Sequence, residues 1–380
     1  MKTTTQSPLS GVIVLSVGHT LPGLYCLAML RDLGARVIRI ERLAQASAEE
    51  KYKGMDVTFP IRSLTAGTEV LSLDLKQEKG IEVFKKLVAQ ADVVLEGFRP
   101  GVMQRLGIDY ASLGKNKPGL ICAAITGYGQ SGAYKDKVGH DINYLAETGV
   151  LALTNPVGLP GATYADGMAG VSAALNIVAA IHAKTKSGKG QMIDCAIVDG
   201  PLSLMTSEFE YYWNTGESRT IGANHLTGSH PWYGIYTTKD GKQVAIGAVE
   251  PVFYQTVCHG LGLPELANAQ FAEGKMLEQA RKKITDAIAA RTRDEIMGLF
   301  ESHNACVSPV SNTREVMDSP LAVRATVSDG NAREKRVHTP VRLPLAEASV
   351  AKPEHEVLLS LHFTKNEIEQ LAQMGIISAT

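Results

Sequence analysis

The chain reads as an α/β protein with a parallel-sheet large domain and a smaller α+β domain, and three observations carry that reading. Short β-branched runs alternate with apolar-periodic helical segments through the first third of the chain, the pattern of a parallel sheet covered on both faces. Near Gly222 the pattern changes to a hairpin followed by helices. The length, 380 residues, exceeds what one compact core ordinarily holds.

The elements follow in order. Residues 11–15 (GVIVL) form a first strand, and the apolar period of 21–33 predicts a helix ended by Gly34, a residue suited to a left-handed cap. Strands follow at 36–40 (RVIRI) and 70–73, an amphipathic helix at 77–91, and strands at 93–95 and 120–125. Arg42, Asp74, Lys76, Glu96 and 126–132 fall just past these strand ends, where a parallel sheet opens its ligand crevice. An Ala/Val/Ile-rich helix over 169–184 closes on Ser187-Gly188-Lys189-Gly190, and 191–194 adds a strand. Runs at 234–238 and 243–248 flank Asp240-Gly241, a strong hairpin signal, and helices follow at 275–290 and 293–302. The tail after Asn331 is polar with scattered prolines and closes with a helix near 365–374. The expected division is a large domain over 1–200, a linker over 201–224, a small α+β domain over 225–320, and a segment over 321–380 returning to the large domain.

Composition narrows the function. A net charge of −1 and a pI near 6.8 give no field suited to a nucleic-acid backbone. Five cysteines, odd in number, far apart and without a C-x-x-C pair, point to reduced thiols and no Cys-based metal site. The first residues lack the apolar stretch of a signal peptide, and no window approaches 18 uninterrupted apolar residues. The expectation is a cytoplasmic protein with no nucleic-acid or membrane partner and no bound metal.

Gly127-Tyr128-Gly129-Gln130-Ser131-Gly132 matches G-x-G-x-x-G after a strand, but AYKDKVGHD follows with no helical period. The match therefore reads as a glycine-rich active-site loop rather than a nicotinamide site. His225 and His230 lack metal-ligand spacing and read as part of a polar interdomain linker. His140, in Gly-His-Asp-Ile-Asn-Tyr, is equally consistent with a helix start capped by Asp141 or Asn143. Asp166, before the apolar helix, and Glu250, before another, each have the same bland reading as helix caps.

Together, PLSGVIVL, LRDLGARVIRIER, LSLDLKQEKG, ADVVLEGFRPGVMQRLGI, ITGYGQSG, GHDINYLAETGVL, SGKGQMIDCAIVDG and GAVEPVFY resemble, in order, the class III CoA-transferases of the CaiB/BaiF type and their relatives, the α-methylacyl-CoA racemases. The resemblance implies a Rossmann-like large domain in an interlocked homodimer and an acyl-CoA thioester as substrate. No cofactor is implied beyond the coenzyme A that the substrate carries. His140, Asp166 and Glu250 stand where the racemase branch carries its catalytic residues, whereas transferases keep an Asp nucleophile at the Asp166 position. The resemblance implies coenzyme A contacts from Arg42, Leu73, Lys76, Gly97, Phe98, Arg99, Arg105, Leu106 and Lys137.

The chemistry suits these residue types. A proton α to a thioester has a pKa on the order of 20, so its removal needs a placed base and a stabilised enolate. Inversion needs a second group on the opposite face, so His140 and Asp166 are read as the two bases, Glu250 as the residue orienting His140, and Tyr144 or amides near Gly167 as candidates for holding the enolate. In the transferase alternative Asp166 attacks the thioester carbonyl instead. Two departures stand out: only Arg62 precedes the LDLK block where relatives carry several basic residues, and Leu226-Thr227-Gly228-Ser229-His230-Pro231 replaces the racemase-like Asp-Gly-Gly-Ala-Pro stretch. The second implies a different acyl pocket.

Overall fold

The computed structural model describes residues 7–43, 62–154, 158–328, 335–337, 339–343 and 352–378. It divides into two units, one built from residues 1–148, 160–204 and 323–380, the other from 149–159 and 205–322.

The first unit is organised by a six-stranded, wholly parallel sheet. Its strands are β1 (Ile13–Val17), β2 (Arg36–Glu41), β3 (Glu69–Ser72), β4 (Val93–Glu96), β5 (Ile121–Thr126) and β6 (Met192–Ala196), in the order β3-β2-β1-β4-β5-β6. The chain runs outward from β1 to β3, crosses back to β4 and continues outward the other way. The direction therefore reverses between β1 and β4, and the strand ends splay there into a crevice. β4 and β5 are buried along their whole length; their runs are apolar except for Glu96 and Thr126 at their ends.

Helices cover both faces. On one face, α1 (Leu21–Asp32) packs along α4 (Tyr164–Ser187), whose first turns lie beside the short α3 (Asp141–Glu147). Gly170 makes the α1–α4 approach possible, since a Cβ there would lie 2.5 Å from Tyr25 Cβ and 2.8 Å from the Pro22 carbonyl. α4 has the length and composition of a membrane span, but Ala165, Ala169, Ala173 and Ile177 are buried in this packing. On the other face, α2 (Glu78–Gln90) buries Val83, Phe84, Leu87 and Val88 beside two helices from the end of the chain. Those two, α8 (Glu354–Ser360) and α9 (Lys365–Gln373), are joined to the β3 edge by Glu354, whose Oε1 accepts from Ser72 N–H (3.0 Å) and Oγ–H (2.7 Å).

The second unit has its own core around a three-stranded antiparallel sheet, β7 (Tyr233–Thr237), β8 (Gln243–Gly247) and β9 (Val307–Pro309). Three helices, α5 (Pro251–Leu261), α6 (Gly274–Ala289) and α7 (Arg293–Phe300), pack on it through Tyr254, Val257, Ile284, Ile288, Ile296 and Phe300. The hairpin is where Asp240-Gly241 places it, but β9 adds a third strand from about sixty residues downstream. Residues 199–204 and 206–215 are helical, where the sequence suggested only a connection.

Candidate active site

Because all six strands are parallel, the loops after β3, β2, β1 and β4 emerge along one edge of the sheet. Gly97 follows β4 and Gly18 follows β1, and a Cβ on Gly97 would lie 2.2 Å from the Gly18 carbonyl. Only glycine lets these loops meet at the switch point. Phe98 lies over Gly18, its turn fixed by an N–H donated to Glu96 Oε2 at 2.7 Å.

Around them, Arg42, Lys76, Arg99 and Arg105 are exposed and form no ion pair among the described residues. All four follow the carboxyl ends of β2, β3 or β4, where cations suit a polyphosphate ligand. Leu106 is half-buried against the core. Leu73 differs from expectation: its side chain is buried in the core and its N–H donates to Glu41 O at 2.8 Å, so the side chain offers a ligand no surface. Lys137 is committed locally, paired with Glu147 at 2.7 Å and lying 4.9 Å from the Tyr134 ring centre. Arg62 begins a short helix over residues 62–65.

His140 and Asp166 come from separate helix starts in the first unit, and a single carboxylate joins those starts. His140 is the extended N-cap of α3, and Asn143 Oδ1 accepts its N–H at 3.0 Å. Asp141, the next residue, accepts the N–H of Asp166 on Oδ1 at 3.1 Å. Asp141 thus caps α4 rather than its own helix. Asp166 lies inside the first turn of α4, whose N-cap position is Thr163, so it is not the cap that its place in the sequence suggested. Burial pushes the Asp166 carboxyl up to about 6, the charge of Asp141 adds to the rise, and His140 opposes it. The positive end of α4 also points at this carboxyl.

Tyr144 and the Gly167 amide, expected as enolate donors, both donate within the protein. Tyr144 donates its hydroxyl to Gly139 O at 2.8 Å, and burial raises that phenol to about 12. The Gly167 N–H donates to Thr163 O at 3.0 Å, inside the helix. Tyr144 instead braces the loop, stacking edge-on against Tyr128 with ring centres 5.3 Å apart.

Glu250 belongs to the second unit. It is the exposed N-cap of α5, followed by Pro251 at the first helical position, and its carbonyl accepts from Phe253 N–H at 3.0 Å. His225 and His230 are not open linker: their rings stack against Trp232, with centres 5.9 and 5.4 Å from it, and their Nδ1 atoms approach to 3.4 Å. Among the described residues no three His, Cys, Asp or Glu side chains converge as metal ligands.

A wholly parallel sheet with basic residues past the ends of its strands, and a histidine and a raised carboxyl at two bridged helix starts, make this unit the candidate active site. Residues 9–354 match CoA-transferase family III, and the chain belongs to that family. It is 35% identical to mouse (Mus musculus) alpha-methylacyl-CoA racemase and 33% identical to the human (Homo sapiens) racemase, covering 98% of each chain in both cases. It is also 32% identical to succinyl-CoA–D-citramalate CoA-transferase of Chloroflexus aurantiacus, over 82% of this chain and 81% of that one. Among solved structures, a CaiB/BaiF family protein from Brucella suis superposes with a TM-score of 0.78 at 24% identity, covering 94% of this chain and all of that one. The chain is an enzyme of the family III CoA-transferase and racemase superfamily.

Proposed function

We propose that the enzyme epimerises a 2-methylacyl-CoA, or a related α-substituted acyl-CoA, by proton transfer through an enolate. The observation that carries this reading is the Asp141 bridge, which fastens the helix start bearing Asp166 to the one bearing His140. His140 takes the α-proton from one face, the electron pair moves onto the thioester oxygen, and the Asp166 carboxylic acid returns a proton to the opposite face. The product leaves the pair as imidazolium and carboxylate, and the reverse direction restores it. Glu250 is assigned to steadying the imidazolium on the strength of the resemblance. The 98% coverage by racemases of both chains supports this branch. Apolar side chains exposed on α4, such as Leu175 at 68%, support the homodimer proposed with it.

A carboxyl near 6 also suits the second reading, in which ionised Asp166 attacks the thioester carbonyl and forms an anhydride as CoA thiolate leaves. The two reactions differ in their proton requirement. Epimerisation needs one proton shared by His140 and Asp166, so its rate falls on both sides of an optimum. Transfer needs only ionised Asp166, so its rate rises through about pH 6 and levels off. His140→Ala separates them independently: it abolishes α-proton exchange under the first reading and largely spares acyl transfer under the second. Retention of exchange in that variant overturns the assignment of His140.

A further inference from the structure

A second constellation of polar groups lies in the first unit, on β4, β6 and the glycine-rich loop, and the reaction makes no use of it. The sheet register places Glu96 of β4, Ala124 of β5 and Asp194 of β6 side by side. Residues in register point to the same face, and parallel strands run about 4.8 Å apart. The two carboxylates therefore rise from backbone about 10 Å apart, with only a methyl group between them. Gln130 folds down from the glycine-rich loop into that gap. Its backbone N–H donates to Asp194 Oδ2 at 2.8 Å, and its side-chain Nε2 lies 3.4 Å from Glu96 Oε1. The other oxygen of Glu96 holds the Phe98 N–H. These groups line a cavity of about 400 Å³ floored by Val94, Met103 and Cys122.

We propose that Glu96 and Gln130 are a positioning pair that ties the Gly97–Phe98 wall of the coenzyme A crevice to the glycine-rich loop leading into His140. The proposal rests on the acyl-CoA reading for what the crevice holds. One buried carboxylate grips both segments, so whatever orders the crevice also orders the loop. The grip depends on protonation. Glu96 is 6% exposed; burial pushes its carboxyl up to about 7, the Phe98 N–H opposes that rise, and the charge of Asp194 adds to it. The other titratable groups lining the cavity are Asp109, Tyr110 and Cys122, and no lysine or arginine lines it. Ionised Glu96 accepts from both partners. The protonated acid spends one oxygen as a donor, so the loop is held above about pH 7 and loosens as the pH falls through it.

The test uses the full-length enzyme with Glu96→Gln and Gln130→Ala. Glu96→Gln keeps the shape and an acceptor for Phe98 but cannot ionise. Two readouts are followed from pH 8 to pH 6: the dissociation constant of free coenzyme A, and amide exchange of residues 127–134 in the unliganded protein, corrected for intrinsic rates. In the wild type, affinity falls roughly three- to tenfold across this range, the effect of one hydrogen bond, and the loop exchanges faster. In Glu96→Gln both readouts become flat, while the pH profile of kcat, which belongs to His140 and Asp166, keeps its shape. Gln130→Ala weakens coenzyme A at pH 8 and changes it little at pH 6, and adding Glu96→Gln to it changes little more at either. The exchange readout needs no turnover, so it decides the proposal even if no 2-methylacyl-CoA proves to be a substrate. Equal pH dependence in wild type and Glu96→Gln, or additive effects in the double variant, overturns it. Should Glu96→Gln fail to fold, wild-type behaviour of Gln130→Ala in both readouts does the same.

Discussion

Asp141 is the residue whose removal is most informative, because it both joins two helix starts and charges the site. Asp141→Asn keeps an oxygen for the Asp166 N–H, which Asp141 meets at 3.1 Å, and removes only the charge. The Asp166 carboxyl stands near 6 against an ordinary 3.8, with burial the larger cause and Asp141 the next. The substitution therefore lowers it from about 6 back towards its ordinary value, while burial keeps it above that value. Asp141→Ala also removes the cap from α4 and costs about 1 kcal/mol of stability, or about 2–4 °C in melting temperature. The assay is a carbon-13 NMR titration of labelled aspartate, with the Asp166 resonance assigned by its absence in Asp166→Asn and with melting curves run in parallel. An Asp166 titration unmoved in Asp141→Asn would refute the electrostatic role. Equal melting losses for the Asn and Ala variants would refute the capping role.

Other consequences are independent of that one. Gly170→Ala forces α1 and α4 apart at a site with 2.5 Å of clearance and costs about 1–3 kcal/mol, visible as a drop of several degrees in melting temperature. The raised carboxyl of Asp166 means that its ionised form opposes folding: the penalty is absent below about pH 4, grows as the pH rises and is complete above about pH 6. After allowance for solvent screening at a partly buried group the penalty is about 1 kcal/mol, so Asp166→Asn melts higher than wild type at pH 8 and at the same temperature near pH 4, while losing activity throughout. Arg99→Ala and Arg105→Ala raise KM for an acyl-CoA and leave KM for the corresponding acyl-pantetheine, which lacks the nucleotide phosphates, unchanged. Equal effects on both thioesters would place these arginines elsewhere.

Elements whose signal is local were legible in the sequence, and those defined by distant partners were not. The helix at Leu21–Asp32 and the strand from Arg36 were readable because apolar period, β-branched runs and Gly34 lie within a few residues of one another. β9 was not, since three residues, Val307–Pro309, become a strand only by pairing with β8. The helices at 199–204 and 206–215 bury little, so no apolar stripe announces them. The site divides in the same way. The motif resemblance pointed to His140 and Asp166, but the Asp141 bridge between residues 25 apart and the alignment of Glu96 with Asp194 arise only when strands and helices take their register. The same packing gives Tyr144 a partner that the sequence does not show: its acceptor, the Gly139 carbonyl, depends on a turn that no side-chain pattern encodes.

Exchange of an α-proton without an acyl acceptor is what separates the epimerase reading from the transferase one. It is tested most directly by incubating the enzyme with a 2-methylacyl-CoA in D2O, with and without a free carboxylic acid, and weighing the products by mass spectrometry. One deuterium gained at the α-carbon in the absence of acceptor, lost in both His140→Ala and Asp166→Ala, is the predicted result. No deuterium, with a new acyl-CoA formed only when acceptor is present, would contradict the account and make Asp166 a nucleophile.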